Sequence, residues 1–306
     1  MPCRDLTIRS RQYFLRFCAW EFFCIFVRMK EPIQLNLRQI IADRLGSRAR
    51  WIPGCAISWL ERTICQERLN EMLRICHPRR GADFCAGVLD HLGITVQWEH
   101  PERLPRDPRA IFICNHPMGG LDGMAIIAAL TQHYGLASDA VRFVVNDLLM
   151  AVEPLTDVFV PINKHGSQSR RASRDIHGAL ASDAPVVLFP AGLVSRLGPD
   201  GRIADLAWHK SFVPWAISND RPVVPLYFHG LNSPSFYRIA ARRKKTGLKF
   251  NYEMIYLPRE VFRANGATFR ISVGDPVSPD VLASASGGAV GATAMLRARC
   301  DALADE

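Results

Sequence analysis

Two short stretches of this 306-residue chain carry residue types that packing alone explains poorly. The first is ICNHPMGGLDG, residues 113–123, in which an apolar run ends at Asn115, His116 and Pro117, and Gly119, Gly120 and Asp122 follow. An imidazole and a carboxylate set around a glycine turn are the parts of a general base and the acid that orients it. Proline biases the residue before it toward extended geometry, so His116 is expected at the mouth of a strand and outside the helix that DGMAIIAAL begins. Gly119 and Gly120 have no side chains, which lets a ligand approach the backbone. Singly, Asp122 reads as a helix cap and the glycines as a turn. Their combination is what suggests chemistry.

The second stretch is PVVLFPAGLVSR, residues 185–196. A buried strand again ends in proline, Ala191 and Gly192 form an open turn, and Ser195 and Arg196 follow. An arginine beside free backbone N–H groups at such a mouth suits an anion; the plainer alternative is a solvated arginine after a strand.

The elements that position these stretches are legible as patterns. From residue 110, short apolar runs alternate with helical stretches: AIFIC, VRFVV at 141–145, DVFVPI at 157–162, PVVLF at 185–189, PVVPLYF at 222–228, NYEMIYL at 251–257 and TFRISV at 268–273. Strands alternating with helices mean an α/β fold, a mixed sheet flanked by helices. In such sheets, sites collect where strands end and helices begin. Ahead of this region lies a helical lead-in. MKEPIQLNLRQIIADRL places Ile33, Leu37, Ile40, Ile41 and Leu45 on one side of a helix. Residues 56–76 put Ile57, Leu60, Ile64, Leu69, Met72, Leu73 and Cys76 at helical spacing, read as a second helix, and a third runs from Asp83 to Leu92. The division expected is an extension over 1–28 and a single domain over 29–306. Within that domain, 29–100 form the lead-in, 101–285 the α/β core and 286–306 a C-terminal helix.

The apolar segment YFLRFCAWEFFCIFV, residues 13–27, contains Arg16 and Glu21. It is shorter and more charged than the roughly 20 apolar residues a spanning helix needs. Two readings stay open: a basic, aromatic segment lying in a lipid interface with Arg4, Arg9, Arg11 and Arg16 at the headgroups, or translation that starts at Met29, leaving 1–28 non-native. The nine cysteines form no Cys-x-x-Cys pair and no zinc-like cluster, so they read as reduced thiols of a cytosolic protein, with no metal expected.

A net charge of +9 points to an anionic partner. Nucleic acid fits the charge, but the sequence holds no recognisable binding module. Arg238, Arg242, Arg243, Lys244, Lys245 and Lys249 form a basic segment, with Phe236 and Tyr237 placed to dip among headgroups, which suits docking on an anionic membrane. A serine hydrolase elbow, Gly-x-Ser-x-Gly, does not occur. A metallophosphoesterase built on Asn115, His116, Asp175, His177 and Asp275 has its motifs in the wrong order, and His177 falls inside a helical pattern. A non-catalytic membrane-surface protein is the remaining alternative.

NHPMGGLDG, then LFPAGLVSR about 70 residues on, then VVPLYFHG at 223–230, together resemble the ordered motifs of the glycerolipid (lysophospholipid) acyltransferase superfamily. The likeness is to bacterial stand-alone members that complete glycine and ornithine lipids. NKHGSQSRR at 163–171 and WHKSFVPWAI at 208–217 also resemble stretches of that subgroup, and the likeness spans roughly 55–280. It implies an O-acyltransferase moving a fatty acyl group from acyl carrier protein or acyl-coenzyme A, as co-substrate rather than bound cofactor, to the hydroxyl of a lysolipid. His116 matches the family's base and Asp122 its orienting aspartate. Oxyanion stabilisation is expected from N–H groups at Gly119, Gly120 or Gly192, and headgroup contacts from Lys164, Ser195, Arg196 and Lys210, with Asn115 also in the site. A cytoplasmic protein on the inner face of the cell membrane is implied.

Two departures matter. The family spacing is His-x4-Asp, whereas five residues separate His116 from Asp122. Where the family has Phe-Pro-Glu-Gly-Thr-Arg, Ala191 replaces the glutamate and Val194 the arginine. Those polar residues serve glycerol-phosphate acceptors, so their loss implies a different headgroup, such as the carboxylate of a lyso amino-acid lipid. The other acceptor considered is lysophosphatidic acid.

Overall fold

The computed structural model describes residues 34–146, 149–150, 152–162, 169–247 and 251–306. The segment 1–28, Met29, Ile33, Lys164 and Lys249 therefore lie outside the described residues.

The lead-in begins with α1 (Leu37–Leu45), whose start is fixed by Asn36 accepting a hydrogen bond from the Gln39 N–H at 3.1 Å. Residues 56–76 are not one helix. They form α2 (Gly54–Thr63) and α3 (Gln66–Cys76), broken where Cys65 adopts a left-handed φ of 55°. The reason lies in the apolar spacing: Ile57, Leu60 and Ile64 step by three and four, but Ile64 to Leu69 is a step of five. A continuous helix carries that stripe off the core face, and the break restores its phase. Next comes α4 (Gly81–His91), close to its expected bounds.

The strands are β1 (Thr95–Glu99), β2 (Ile111–Cys114), β3 (Arg142–Asn146), β4 (Phe159–Ile162), β5 (Val186–Leu188), β6 (Arg196–Leu197), β7 (Ile203–Ala204), β8 (Val223–His229) and β9 (Thr268–Val273). Seven of them form one sheet in the order β1-β9-β8-β2-β5-β3-β4. Every neighbouring pair is parallel except β8 with β9, so the sheet is mixed, as expected. β1 was not anticipated. It lies in the stretch assigned to the helical lead-in, and pairing with β9 from Thr95↔Thr268 to Glu99↔Ser272 makes a strand of a segment in which Thr95, Gln97 and Glu99 interrupt Val96 and Trp98, so that no apolar run announces it.

Alternation along β2 loads both faces of the sheet. Phe112 and Cys114 join the apolar cluster built with α1 to α4 and α5 (Gly120–Tyr134), while Ile111 and Ile113 join the one built with α6 (Ser169–Ala181), α7 (Phe212–Ser218) and α11 (Gly288–Ala302). A basic helix, α8 (Pro234–Lys245), is capped by Ser233, whose hydroxyl accepts from the Phe236 N–H.

NYEMIYL is not a strand either. Tyr252–Tyr256 is a 3₁₀ turn that runs into α9 (Leu257–Arg263), with Pro258 in the first turn, where its missing N–H costs nothing. The deciding residue is Glu253, fully buried between Arg196 and Arg243, a placement that tertiary ion pairing dictates and apolar counting misses. The chain ends with α10 (Pro279–Ala283) and α11.

Candidate active site

Three adjacent strands, β5, β2 and β8, end side by side, and the two chemically loaded stretches emerge from the first two of them. At the end of β2, Asn115 is buried and knits the strands together. Its amide donates to the Phe228 carbonyl at 3.1 Å and its Oδ1 accepts from the Phe228 N–H at 2.7 Å. Asn115 is thus held as a scaffold for the residue that follows.

His116 follows and lies against Asp122, Nδ1 to Oδ2 at 3.1 Å. The extra residue in the motif is absorbed before the helix starts. Gly119 takes φ 81° as the cap of α5, a conformation that disfavours any residue with a side chain. That puts Asp122 in the first turn, where its carboxylate reaches back over the loop. Oδ2 also accepts from the Met118 N–H at 2.9 Å, and Oδ1 from the Gly123 N–H at 2.8 Å. Asp122 is wholly buried, its charge compensated by these donors and by the positive end of the helix dipole. The His116 side chain keeps 16% exposure, so it sits at the surface of a buried carboxylate.

A carboxylate accepting from Nδ1–H selects the tautomer in which Nε2 carries the lone pair. The ring also stacks on Phe189, centroids 4.0 Å apart and planes at 18°, which fixes its orientation. The arrangement can take a proton from a hydroxyl presented at Nε2.

The second stretch contributes differently. Gly192 is left-handed at φ 63°, and the His209 ring lies 3.8 Å from where a Cβ would stand on it. His209 and Lys210 are exposed beside this turn, the His209 N–H donating to the Pro190 carbonyl at 2.9 Å. Gly120 has open space where a side chain would be. Ala191 and Val194 are buried, and Val194 packs with Phe236, Tyr237 and Leu257.

Arg196 does not face the mouth as a free cation. Its Nη2 is 3.0 Å from Glu253 and its Nη1 donates to the Val194 carbonyl at 2.7 Å, while burial lowers its pKa against the opposing pull of Glu253. Arg243 Nε stands 2.8 Å from the other oxygen of Glu253. Nor do Phe236 and Tyr237 reach toward headgroups, for both lie on the buried face of α8. The exposed cations of that helix are Arg238, Arg242, Lys244 and Lys245.

Ser195 is buried against the base's own loop, its N–H donating to the His116 carbonyl at 2.7 Å. One residue that sequence reasoning missed is Asp205. Its Oδ1 accepts from the His116 N–H at 3.1 Å and from the Ser195 hydroxyl at 2.5 Å, and its Oδ2 from Trp208 Nε1 at 3.0 Å. Nothing in the spacing of Asp205 from His116 signals this contact. The hairpin of β6 and β7 makes it, pairing Arg196 with Ala204 and so bringing the next residue out on each strand together. His177 lies within α6, as its helical pattern suggested, and among the described residues no three His, Cys, Asp or Glu side chains gather closely enough to hold a metal ion.

A histidine and a buried aspartate at the carboxyl ends of parallel strands define a site for acid–base transfer chemistry. The chain belongs to the acyltransferase family, whose model matches residues 39–300, and it is an enzyme that transfers acyl groups. This closes the non-catalytic reading. A lyso-glycine lipid O-acyltransferase of Phocaeicola vulgatus is 38% identical over 243 residues, covering 79% of this chain and 86% of that protein. A protein of the same name from Bacteroides thetaiotaomicron is 35% identical over 243 residues, covering 79% and 88% respectively. The crystal structure of the 1-acyl-sn-glycerophosphate (LPA) acyltransferase PlsC from Thermotoga maritima aligns with a TM-score of 0.43 at 14% identity, over 99% of this chain and 95% of that one.

Proposed function

We propose that this enzyme acylates the free hydroxyl of a lyso amino-acid lipid, drawing the acyl group from an acyl carrier protein or coenzyme A thioester. The observation that carries the reading is the similarity over 79% of the chain to two proteins named lyso-glycine lipid O-acyltransferase. The apolar, buried character of Ala191 and Val194 supports an acceptor that does not need the polar residues expected for a glycerol phosphate.

In this reading His116 Nε2 takes the acceptor's hydroxyl proton as its oxygen attacks the thioester carbonyl. The tetrahedral oxyanion then collapses, expelling the thiolate, which recovers the proton from His116. Asp122 holds the ring and stabilises the imidazolium. Base assistance of this kind contributes about a hundred- to ten-thousand-fold in rate. The remainder comes from holding donor and acceptor together and from N–H groups at Gly119, Gly120 or Gly192 facing the oxyanion. Lys210, exposed beside the Gly192 turn, is the cation assigned to the headgroup carboxylate, with Lys164 as a second.

The acceptor is an insoluble lipid, so the enzyme must meet a membrane. Among the described residues no helix is long and apolar enough to cross one. Peripheral docking on an anionic inner leaflet is assigned to the exposed cations of α8.

Transfer of a labelled acyl chain by the purified protein on phospholipid vesicles tests the proposal, with both thioesters as donors and N-(3-hydroxyacyl)glycine, N-(3-hydroxyacyl)ornithine or lysophosphatidic acid as acceptors. Transfer to an amino-acid lipid, abolished by His116→Ala, is expected. Transfer to lysophosphatidic acid alone would overturn the acceptor assignment and leave the acyltransferase standing.

A further inference from the structure

We infer that Asp205 is a positioning residue for the reaction, acting through the backbone of His116; this rests on the assignment of His116 as the base. Three hydrogen bonds close a ring. The His116 N–H donates to Asp205 Oδ1 at 3.1 Å, the Ser195 hydroxyl donates to the same oxygen at 2.5 Å, and the Ser195 N–H donates to the His116 carbonyl at 2.7 Å. Both backbone polar groups of His116 are therefore engaged, and both lead to the segment that follows β5.

Asp205 is itself fixed. Trp208 Nε1 holds its second oxygen at 3.0 Å, and Arg297, from α11, donates to its carbonyl at 2.8 Å and to that of Leu206 at 3.1 Å. The Pro117 carbonyl accepts from Asn232 Nδ2 at 2.9 Å, which secures the next residue of the loop. The imidazole is thus located by two carboxylates with separate tasks. Asp122 sets the tautomer and tilt of the ring, and Asp205 sets where its Cα stands. A charged acceptor suits this task, since hydrogen bonds to ionised groups are stronger than neutral ones. Asp205 has no contact with the imidazole among its hydrogen bonds, so it is not a catalytic residue.

Asp205→Asn conserves volume but removes the charge and leaves one of the three donors unmet: an amide oxygen kept toward His116 and Ser195 turns the amide NH₂ onto Trp208 Nε1–H, and the reverse orientation loses both ring donors. A displaced base costs rate rather than binding, on the order of 100-fold for a shift near 1 Å. The expected result is a kcat lowered by about 10- to 100-fold, with KM for the acyl donor and the lysolipid within about twofold. The variant is also made in the His116→Ala background, where the residual transfer should not fall further, because residues that act as a unit are not additive. An equal loss in both backgrounds, or a loss confined to KM, would overturn the inference. If His116→Ala itself retained full activity, the reading of His116 as base would fail instead, and the two failures are distinguishable. Should Asp205→Asn not fold, Ser195→Ala removes one bond of the ring and is expected to lower kcat by about three- to tenfold with KM unchanged. An unchanged kcat there counts against the proposal.

Discussion

The two adjacent strand ends that carry the polar motifs of this enzyme use polar residues in opposite ways. At the end of β2 a fully buried carboxylate, Asp122, is spent on orienting a partly exposed imidazole. At the end of β5 the positions where the superfamily places glutamate and arginine are the buried Ala191 and Val194, and the nearby Arg196 turns inward to Glu253. One mouth sets a buried carboxylate against an imidazole, and the other turns its arginine into an internal ion pair. The lesson is that neighbouring strand ends of one sheet can be lined independently: one holds a fixed polar pair, the other an apolar wall with its arginine turned inward.

That contrast can be broken by experiment. His116→Ala should lose about a hundred- to ten-thousand-fold of transfer while melting within a few degrees of the parent, as followed by thermal unfolding and labelled product. Loss of fold with loss of activity would remove the distinction between the mouths. Asp122→Asn is expected to cost about a thousand-fold in kcat, because an amide presented to Nδ1 favours the wrong tautomer. Activity near the parent's would show that the ring is oriented by Phe189 and the loop alone.

Glu253→Ala tests the other wall. It removes the buried carboxylate that Arg196 and Arg243 share, their side chains being only 13% and 16% exposed, and should lower unfolding stability by about 3 kcal/mol in a urea titration. Transfer by the molecules still folded should change little. A selective loss of transfer without loss of stability would instead make Arg196 a substrate ligand. The smallest effect is expected on α8. Arg238→Gln and Arg242→Gln should each weaken binding to anionic vesicles by about 1 kcal/mol, in a sedimentation assay, and leave binding to neutral vesicles as it was.

Much of this was legible in residue order. Apolar runs marked β2, β3, β4, β5, β8 and β9, and the His116 to Asp122 motif stood out because its types have no packing purpose. What failed did so for local reasons. Thr95–Glu99 alternates polar and apolar residues and shows no apolar run, so only its pairing with β9 makes it a strand. The break at Cys65 hid inside an apolar stripe whose step of five betrays it only when counted. Tyr252–Tyr256 looked like a strand because NYEMIYL reads as a short apolar run, although the fold buries its Glu253 as the counter-ion of two arginines.

By itself, then, the sequence determined the fold class, the family and the identity of the histidine and aspartate, because hydrophobic period and motif order are properties of neighbours along the chain. Only the tertiary structure decided which polar residues meet. Arg196 is 57 residues from Glu253, and His116 is 89 from Asp205, and neither pairing leaves a trace in spacing. The physical reason is that a buried charge takes whatever partner the packed strands and hairpin deliver to it, and that delivery is settled only when the core closes.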